Sequence, residues 1–295
     1  MMERYLLRYF LAVIDQGNFS KAAASCNVSQ PTLSVGIAKL ENTVGQPLFR
    51  RTNRRVELTE SGARLAPLAR RIETEFAQAE REVSEGSLPS TLRIGILTTT
   101  PIAWVDAFIS KMTVEGDGER VELIDGRERD LLERLSRGRI DVALSIVRDN
   151  NNRFAQEAWL EEGYVLALAR SHRLAGRSTI AAEELIGETM IARRQCEILV
   201  ETSRFFTARG VRPFFPARTT DEARALAYVR SGLGITVVPQ CYDDPDIAKA
   251  QLEGFSPVRQ IGLIYAPHTD PLQMRVRPAL RHLAASITPE ATRSL

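Results

Sequence analysis

The chain has 295 residues, 44% hydrophobic and 26% charged, which is enough for about two globular units and excludes collagen-like, low-complexity and wholly disordered classes. Its three cysteines, Cys26, Cys196 and Cys241, are odd in number and far apart, which excludes a disulfide scaffold or a CxxC metal site; with no run of about 18 apolar residues and no leader-like start, a cytoplasmic protein with no membrane partner is expected. The net charge of +2 is unevenly spread, because residues 1–61 carry eight Lys and Arg against five Asp and Glu, and a local basic excess is what phosphate binding needs.

Leu6, Phe10 and Val13 recur at helical spacing up to Gly17, and Phe19 re-enters the core just before Ser20, a suitable cap for a short helix over KAAASC. Asn27 and Val28 make a tight turn. Ser29 can cap a third helix with Pro31 in its first turn, and the stripe Leu33, Ile37, Leu40 and Val44 predicts one buried face before Gly45 ends it. Leu48 and Phe49 then read as anchors, and residues 50–58 as two short strands around a polar turn at Asn53, a wing carrying Arg50, Arg51, Arg54 and Arg55. Thr59 can cap a long helix in which Leu65, Ala69, Ile72, Phe76, Ala79 and Val83 step by fours and threes, a coiled-coil seam that needs a partner helix. Pro67 is expected to kink its first turns. Gly86-Ser87-Leu88-Pro89-Ser90 reads as the domain boundary.

Beyond it strands and helices alternate: LRIGIL (92–97), VELID (121–125), the helix RDLLERLSRG and the strand IDVALSIV (140–147) predict a parallel sheet. A second set follows, with YVLALA (164–169), a helix start at AAEEL, TMIAR (189–193), a helix over CEILVETSRFFTARG, another over DEARALAYVRSG, and GITVVP (234–239). QIGLIYAP (260–267) and a terminal helix from about Pro271 to Ser286 can return to the first sheet.

The third helix carries the strongest functional pattern. Ser29, Gln30, Pro31, Thr32, Ser34, Val35 and Lys39 lie on or beside its N-terminal part, where small and amide side chains suit contact with base edges, and the arginines of the wing suit phosphates or a minor groove. The plainer alternative is a three-helix packing unit whose polar residues and charged loop merely face solvent. Together Phe19, Ala22-Ala23, Val28-Ser29-Gln30-Pro31-Thr32-Leu33-Ser34, Ile37, Leu40-Glu41, Gly45, Pro47-Leu48-Phe49, Arg51, Leu58-Thr59 and Gly62 resemble the N-terminal domain of LysR-type transcriptional regulators. The match is dense over the first ~85 residues and sparse beyond, through LRIG at 92–95, the helix followed by IDVAL ending at Leu144, and Gly232-Leu233-Gly234-Ile235 with Pro239. It implies a winged helix-turn-helix over 2–59, a dimerising linker helix over 60–90, and over 91–295 an α/β effector domain resembling a periplasmic binding protein, with lobe I at about 91–162 and 266–290 and lobe II at about 163–265. The implied partners are double-stranded DNA, further copies of the chain as a homodimer or homotetramer, a small-molecule effector that alters DNA bending or recruitment of RNA polymerase, and no cofactor. Where family members commonly carry a basic residue and a Gln after the LS of the recognition helix, this chain has Val35-Gly36, which places operator preference in doubt and predicts a locally softer helix.

Ligands of open α/β sheets sit beyond the carboxyl ends of strands. Thr98, Thr99 and Thr100 follow the first strand, Arg148 follows IDVALSIV, and Arg193, Arg194, Gln195 and Cys196 lie between a strand and a helix; by resemblance, inducers bind between the lobes on such loops, and this set suits a carboxylate or other small anion. Each residue also has the ordinary alternative of a capping threonine or a solvated arginine. Cys196 has three readings: a thiolate sensor activated by a helix N-terminus and Arg193-Arg194, a ligand-lining residue, or a buried small one. Cys26 reads as core. The histidines His172, His268 and His282 lack metal-ligand spacing, and no GxSxG, HExxH, Walker or GxGxxG pattern occurs, so a redox-responsive regulator and a non-regulatory small-molecule binding protein are the rivals, and no enzyme is expected.

Overall fold

Three short helices open the chain, and each ends on its own local signal. A computed structural model describes residues 2–51, 56–85, 91–115, 118–149, 151 and 153–287. These form two compact units, Met1–Ser90 with Glu133–Arg139 and Ala266–His268, and Thr91–Leu132 with Ile140–Tyr265 and Thr269–Leu295.

In the first unit α1 (Arg4–Gln16) stops where Gly17 turns left-handed at φ 61°. The cap of α2 (Phe19–Ser25) is Asn18 and not the expected Ser20, because the Asn18 side-chain Oδ1 accepts the Ser20 and Lys21 amides and draws Ser20 into the first turn. Asn27 makes the next turn at φ 55°, a backbone that Asn tolerates better than most residues. Ser29 caps α3 (Gln30–Val44), and Gly45 ends it. Leu33, Ile37 and Leu40 are buried among Leu6, Leu7 and Phe10, whereas Val44 stands exposed on the last turn, past the core that its stripe was expected to join. Gly36 is buried as well: a Cβ there would lie 2.6 Å from Tyr9 Cδ2, so this glycine seats α3 closely on α1. Tight helix packing, and not the softness inferred from propensity, is its local role.

The wing is β1 (Phe49–Arg51) paired antiparallel with β2 (Val56–Leu58), Arg50 opposite Glu57. Glu41 accepts the Leu48 amide at 2.7 Å and so ties α3 to the wing. Arg54, Arg55 and the expected boundary at 86–90 lie outside the described residues. Thr59 caps α4 (Glu60–Glu85), its Oγ1 accepting the Gly62 amide at 3.0 Å. This helix runs on through Pro67; Pro67 and Ala63 are both exposed, so the carbonyl that loses its amide partner is open to water. Leu65, Ala69 and Ile72 pack into the first unit's own core, so the first half of α4 is built into that unit.

In the second unit β3 (Leu92–Leu97), α5 (Ile102–Glu115), β4 (Val121–Gly126), the start of α6 (Glu128–Ser136, which from Glu133 is counted with the first unit) and β5 (Val142–Val147) wind as expected, with β4 and β5 parallel to β3. The next strand, β6 (Gln156–Ala169), begins before the expected YVLALA. It is followed by β7 (Thr179–Ile180), a 3-10 turn at Ala182–Leu185, β8 (Thr189–Arg193), α7 (Leu199–Ala208), β9 (Phe214–Thr219), α8 (Glu222–Arg230), β10 (Thr236–Pro239), β11 (Ile247–Leu252) and β12 (Val258–Tyr265). The first half of β6 pairs antiparallel with β12 and its second half with β10 and β11, so one long strand serves both lobes. The large sheet, ordered β4-β3-β5-β12-β6-β11-β7, is therefore mixed and not parallel, while β8 and β9 form a parallel pair. β12 pairs with β6 from Val258 and with β5 from Gln260, so it carries the chain back to the strands of the first lobe. Gly262 sits at a register shift where a Cβ would lie 1.9 Å from the Glu157 carbonyl oxygen, a contact only glycine allows. The terminal helix is two helices, α9 (Pro271–Arg275) and α10 (Pro278–Ile287), since the residue before a proline disfavours helical backbone.

Candidate functional site

Building outward from α3, Ser29 Oγ accepts the Thr32 amide at 3.2 Å and lies 2.7 Å from Thr32 Oγ1. Gln30 donates to Ser34 Oγ at 2.9 Å, a bond at the surface that a base edge can replace. Gln30, Pro31 and Thr32 are exposed, Ser34 is half-buried, and Val35 is 69% exposed, an apolar side chain suited to a thymine methyl. Gly36 is not on this face at all. Lys39 is engaged elsewhere, paired with Glu3 at 2.6 Å and donating to Tyr5 at 3.2 Å; these partners raise its pKa. Arg50 is exposed on the wing, and the Arg51 side chain lies outside the described residues.

The second unit is centred on a charge cluster that the sequence reading missed. Arg259 and Glu162 face each other across β12 and β6, at the point where β6 passes from one lobe to the other. Arg259 Nε and Nη2 both donate to Glu162 Oε1, at 2.9 and 2.8 Å. Its Nη1 donates to Glu197 Oε1 at 2.6 Å and reaches Thr99 Oγ1 at 3.3 Å, and Nη2 lies 3.4 Å from Cys241 Sγ. Tyr164 donates to Glu197 Oε1 at 2.7 Å, and Tyr242 to the Thr99 carbonyl at 3.2 Å. Arg259 is only 3% exposed. Burial pushes the Glu197 carboxyl upward, but Arg259 and the Tyr164 hydroxyl outweigh it and hold it below the ordinary carboxylate value. One guanidinium thus clasps the loop after β3, strand β6 and the loop after β8. The sequence signal for it was a pair of opposite charges in otherwise apolar strands, legible only once their register is known.

The expected effector residues divide into two places. Thr99 belongs to the clasp. Thr98 Oγ1, Thr100 Oγ1, Gln195 Oε1, Glu197 Oε2 and Arg193 Nη2 are buried with no hydrogen-bond partner, and such atoms call for one. Arg148 is not an open guanidinium, since Glu128 takes it at 2.7 and 2.9 Å; Arg193 is likewise held by Glu222 and by the Val237 carbonyl at 2.7 Å. Arg193, Arg194 and Cys196 instead line a cavity of about 390 Å³ within lobe II, bounded by α7, β8, β9 and β10. Cys196 does not sit on a helix N-terminus, because α7 starts at Leu199. Burial pushes its thiol pKa up, and Arg193 Nη1, 3.5 Å from Sγ, offsets this only in part. Among the described residues no group of three His, Cys, Asp or Glu could hold a metal ion, and no helix is long and apolar enough to cross a membrane.

Comparison with known proteins converges on the same two units. The bacterial regulatory helix-turn-helix model of the lysR family matches residues 5–63, and the LysR substrate binding domain model matches residues 85–287. A probable hydrogen peroxide-inducible genes activator of Mycobacterium avium is 30% identical over 269 residues, covering 88% of this chain and 86% of that protein. The uncharacterized HTH-type transcriptional regulator YybE of Bacillus subtilis is 28% identical, covering 90% and 92%. Among solved structures, HinK, a LysR family regulator of Pseudomonas aeruginosa, superposes with TM-score 0.56 at 18% identity over the full length of both chains, a likeness of fold. With a capped recognition helix, a wing and a two-lobed second unit in place, the chain belongs to the LysR family of ligand-responsive, DNA-binding transcriptional regulators.

Proposed function

We propose that the protein is a homo-oligomeric, cytoplasmic regulator, with no enzymatic role, in which a small anionic effector bound by the second unit shifts operator binding and, through it, polymerase recruitment. The observation that carries this reading is the Arg259 clasp, which draws on both lobes and is bordered by buried polar atoms without partners. A ligand shifts an equilibrium only by its differential affinity for two arrangements, and a ligand that pairs with those atoms alters what the clasp holds together. The exposed Leu68 and Phe76 of α4 support self-association. A peroxide-responsive reading is favoured by Arg193 Nη1 beside Cys196 and by the Mycobacterium avium relative; the raised Cys196 pKa weighs against it.

The test is recovery of genomic fragments by the purified protein at two salt concentrations. Discrete sites with an inverted-repeat core are expected, with affinity falling by about 0.9 log unit per log unit of salt for each phosphate contacted, and with Arg50→Ala lowering that slope by about one. Diffuse binding that salt erases at every fragment would overturn it.

A further inference from the structure

We propose that lobe II holds a binding site of its own, the cavity between α7 and β8–β9, and that it takes an amphipathic carboxylate, an acid with an aromatic or short aliphatic body. The consequence at DNA rests on the effector reading above; the binding does not. The cavity, of about 390 Å³, is within the roughly 300–1,000 Å³ span of small-molecule sites. Its α7 wall is Leu199, Thr202, Ser203, Phe206 and Thr207, one helix face by spacing, yet three of the five carry hydroxyls where a helix sealed onto a sheet would be apolar. Phe206, Phe215 and Val211 supply an apolar body.

The charge is one-sided. Arg194, Arg212 and Arg218 line the cavity and have no carboxylate partner among the described residues; Arg218 rests over the Phe215 ring at 4.9 Å. Arg193, 2% exposed, also lines it and keeps a buried Nη2 without an acceptor. Arg193 is neutralised by Glu222, as Arg148 and Arg259 are by Glu128, Glu162 and Glu197, so the open charge of this cavity is that of Arg194, Arg212 and Arg218. An inorganic oxyanion would fill only part of a cavity of about 390 Å³, and a neutral aromatic would leave Arg194, Arg212 and Arg218 without a counter-charge, so a molecule with both parts suits the site better than either. The cavity also abuts the clasp through the chain itself, because Cys196 lines the one and Glu197 belongs to the other.

Calorimetric titration of the full chain with sodium phenylacetate and sodium octanoate, against phenylethanol, octanol and inorganic phosphate, tests this. At least one acid is expected to bind saturably, its alcohol about tenfold more weakly or worse, and phosphate more weakly still. The double variant Arg212→Gln/Arg218→Gln is expected to weaken the acid by about tenfold. Ser203→Trp, at an exposed position of the cavity wall, is expected to abolish binding without moving the melting temperature. Binding of neither acid, or binding undiminished in Ser203→Trp, overturns the site. A footprint that leaves the operator unchanged despite saturable binding keeps the site and removes its effector role. A footprint that responds equally in Ser203→Trp removes this cavity's effector role and leaves the effector reading standing.

Discussion

Cys196 is half-buried, three residues before α7, with burial raising its pKa more than Arg193 lowers it. A thiol needs deprotonation to attack. Since its folded pKa lies above the unfolded value, the protonated form persists through neutral pH, and the thiolate appears only above the ordinary value of about 8.5. Iodoacetamide labelling of the Cys196 peptide, followed by mass spectrometry, should therefore be slower than that of free cysteine at pH near 7 and accelerate only in alkali; fast neutral labelling would restore the peroxide reading. Gly36 makes the opposite kind of point, that a helix propensity can be outvoted by a neighbour. Alanine there gains about 1 kcal/mol of helix propensity, but its Cβ would sit 2.6 Å from Tyr9 Cδ2, and overpacking costs about 1–3 kcal/mol. Gly36→Ala should lower stability in urea, and should raise it instead in a Tyr9→Leu background, where the ring is gone. The same sign in both backgrounds would mean that the glycine is not kept for close packing.

At the scale of elements, α4 shows how one periodicity can serve two purposes. Its seam is real, yet Leu65, Ala69 and Ile72 are spent on the first unit's core, while Leu68 and Phe76 remain exposed; a seam looks the same whether its cover comes from the same chain or another. Ala69→Asp should unfold the first unit, because it strands a charge at a fully buried position. Leu68→Glu, at 50% exposure, should change stability by no more than about 0.5 kcal/mol yet shift sedimentation toward the monomer. Unchanged assembly in Leu68→Glu would remove this face from the interface. The helices were legible because caps and stripes are local: Ser29, Gly17, Gly45 and Thr59 each announced a boundary. β9, β11 and the first half of β6 were not, since their pairing is supplied by residues far away in sequence, and the polar stretch Gln156–Gly163 reads as strand only once β12 lies against it.

Across the whole molecule the clasp was the least legible feature, because Arg259 meets positions 99, 162, 197 and 241, brought together by the fold alone. Buried ion pairs contribute little to stability relative to apolar replacements, but removing one partner from such a cluster costs about 3–5 kcal/mol. Arg259→Met should thus destabilise the second unit by that order, leaving Glu162 and Glu197 unpaired, whereas Arg259→Met combined with Glu162→Gln and Glu197→Gln should recover most of the loss. Acid probes the same cluster: with its pKa held down, Glu197 contributes stability that is complete above the ordinary carboxylate value of about 4.3 and is lost as pH falls through the depressed one, so the parent's melting temperature should drop there more steeply than that of Glu197→Gln. If the clasp serves communication between the lobes, the triple variant keeps its fold and its discrete operators but its footprint no longer changes with effector. A triple variant that still responds would assign the clasp to folding alone, and the coupling would have to run through the hinge backbone of β6 and β12.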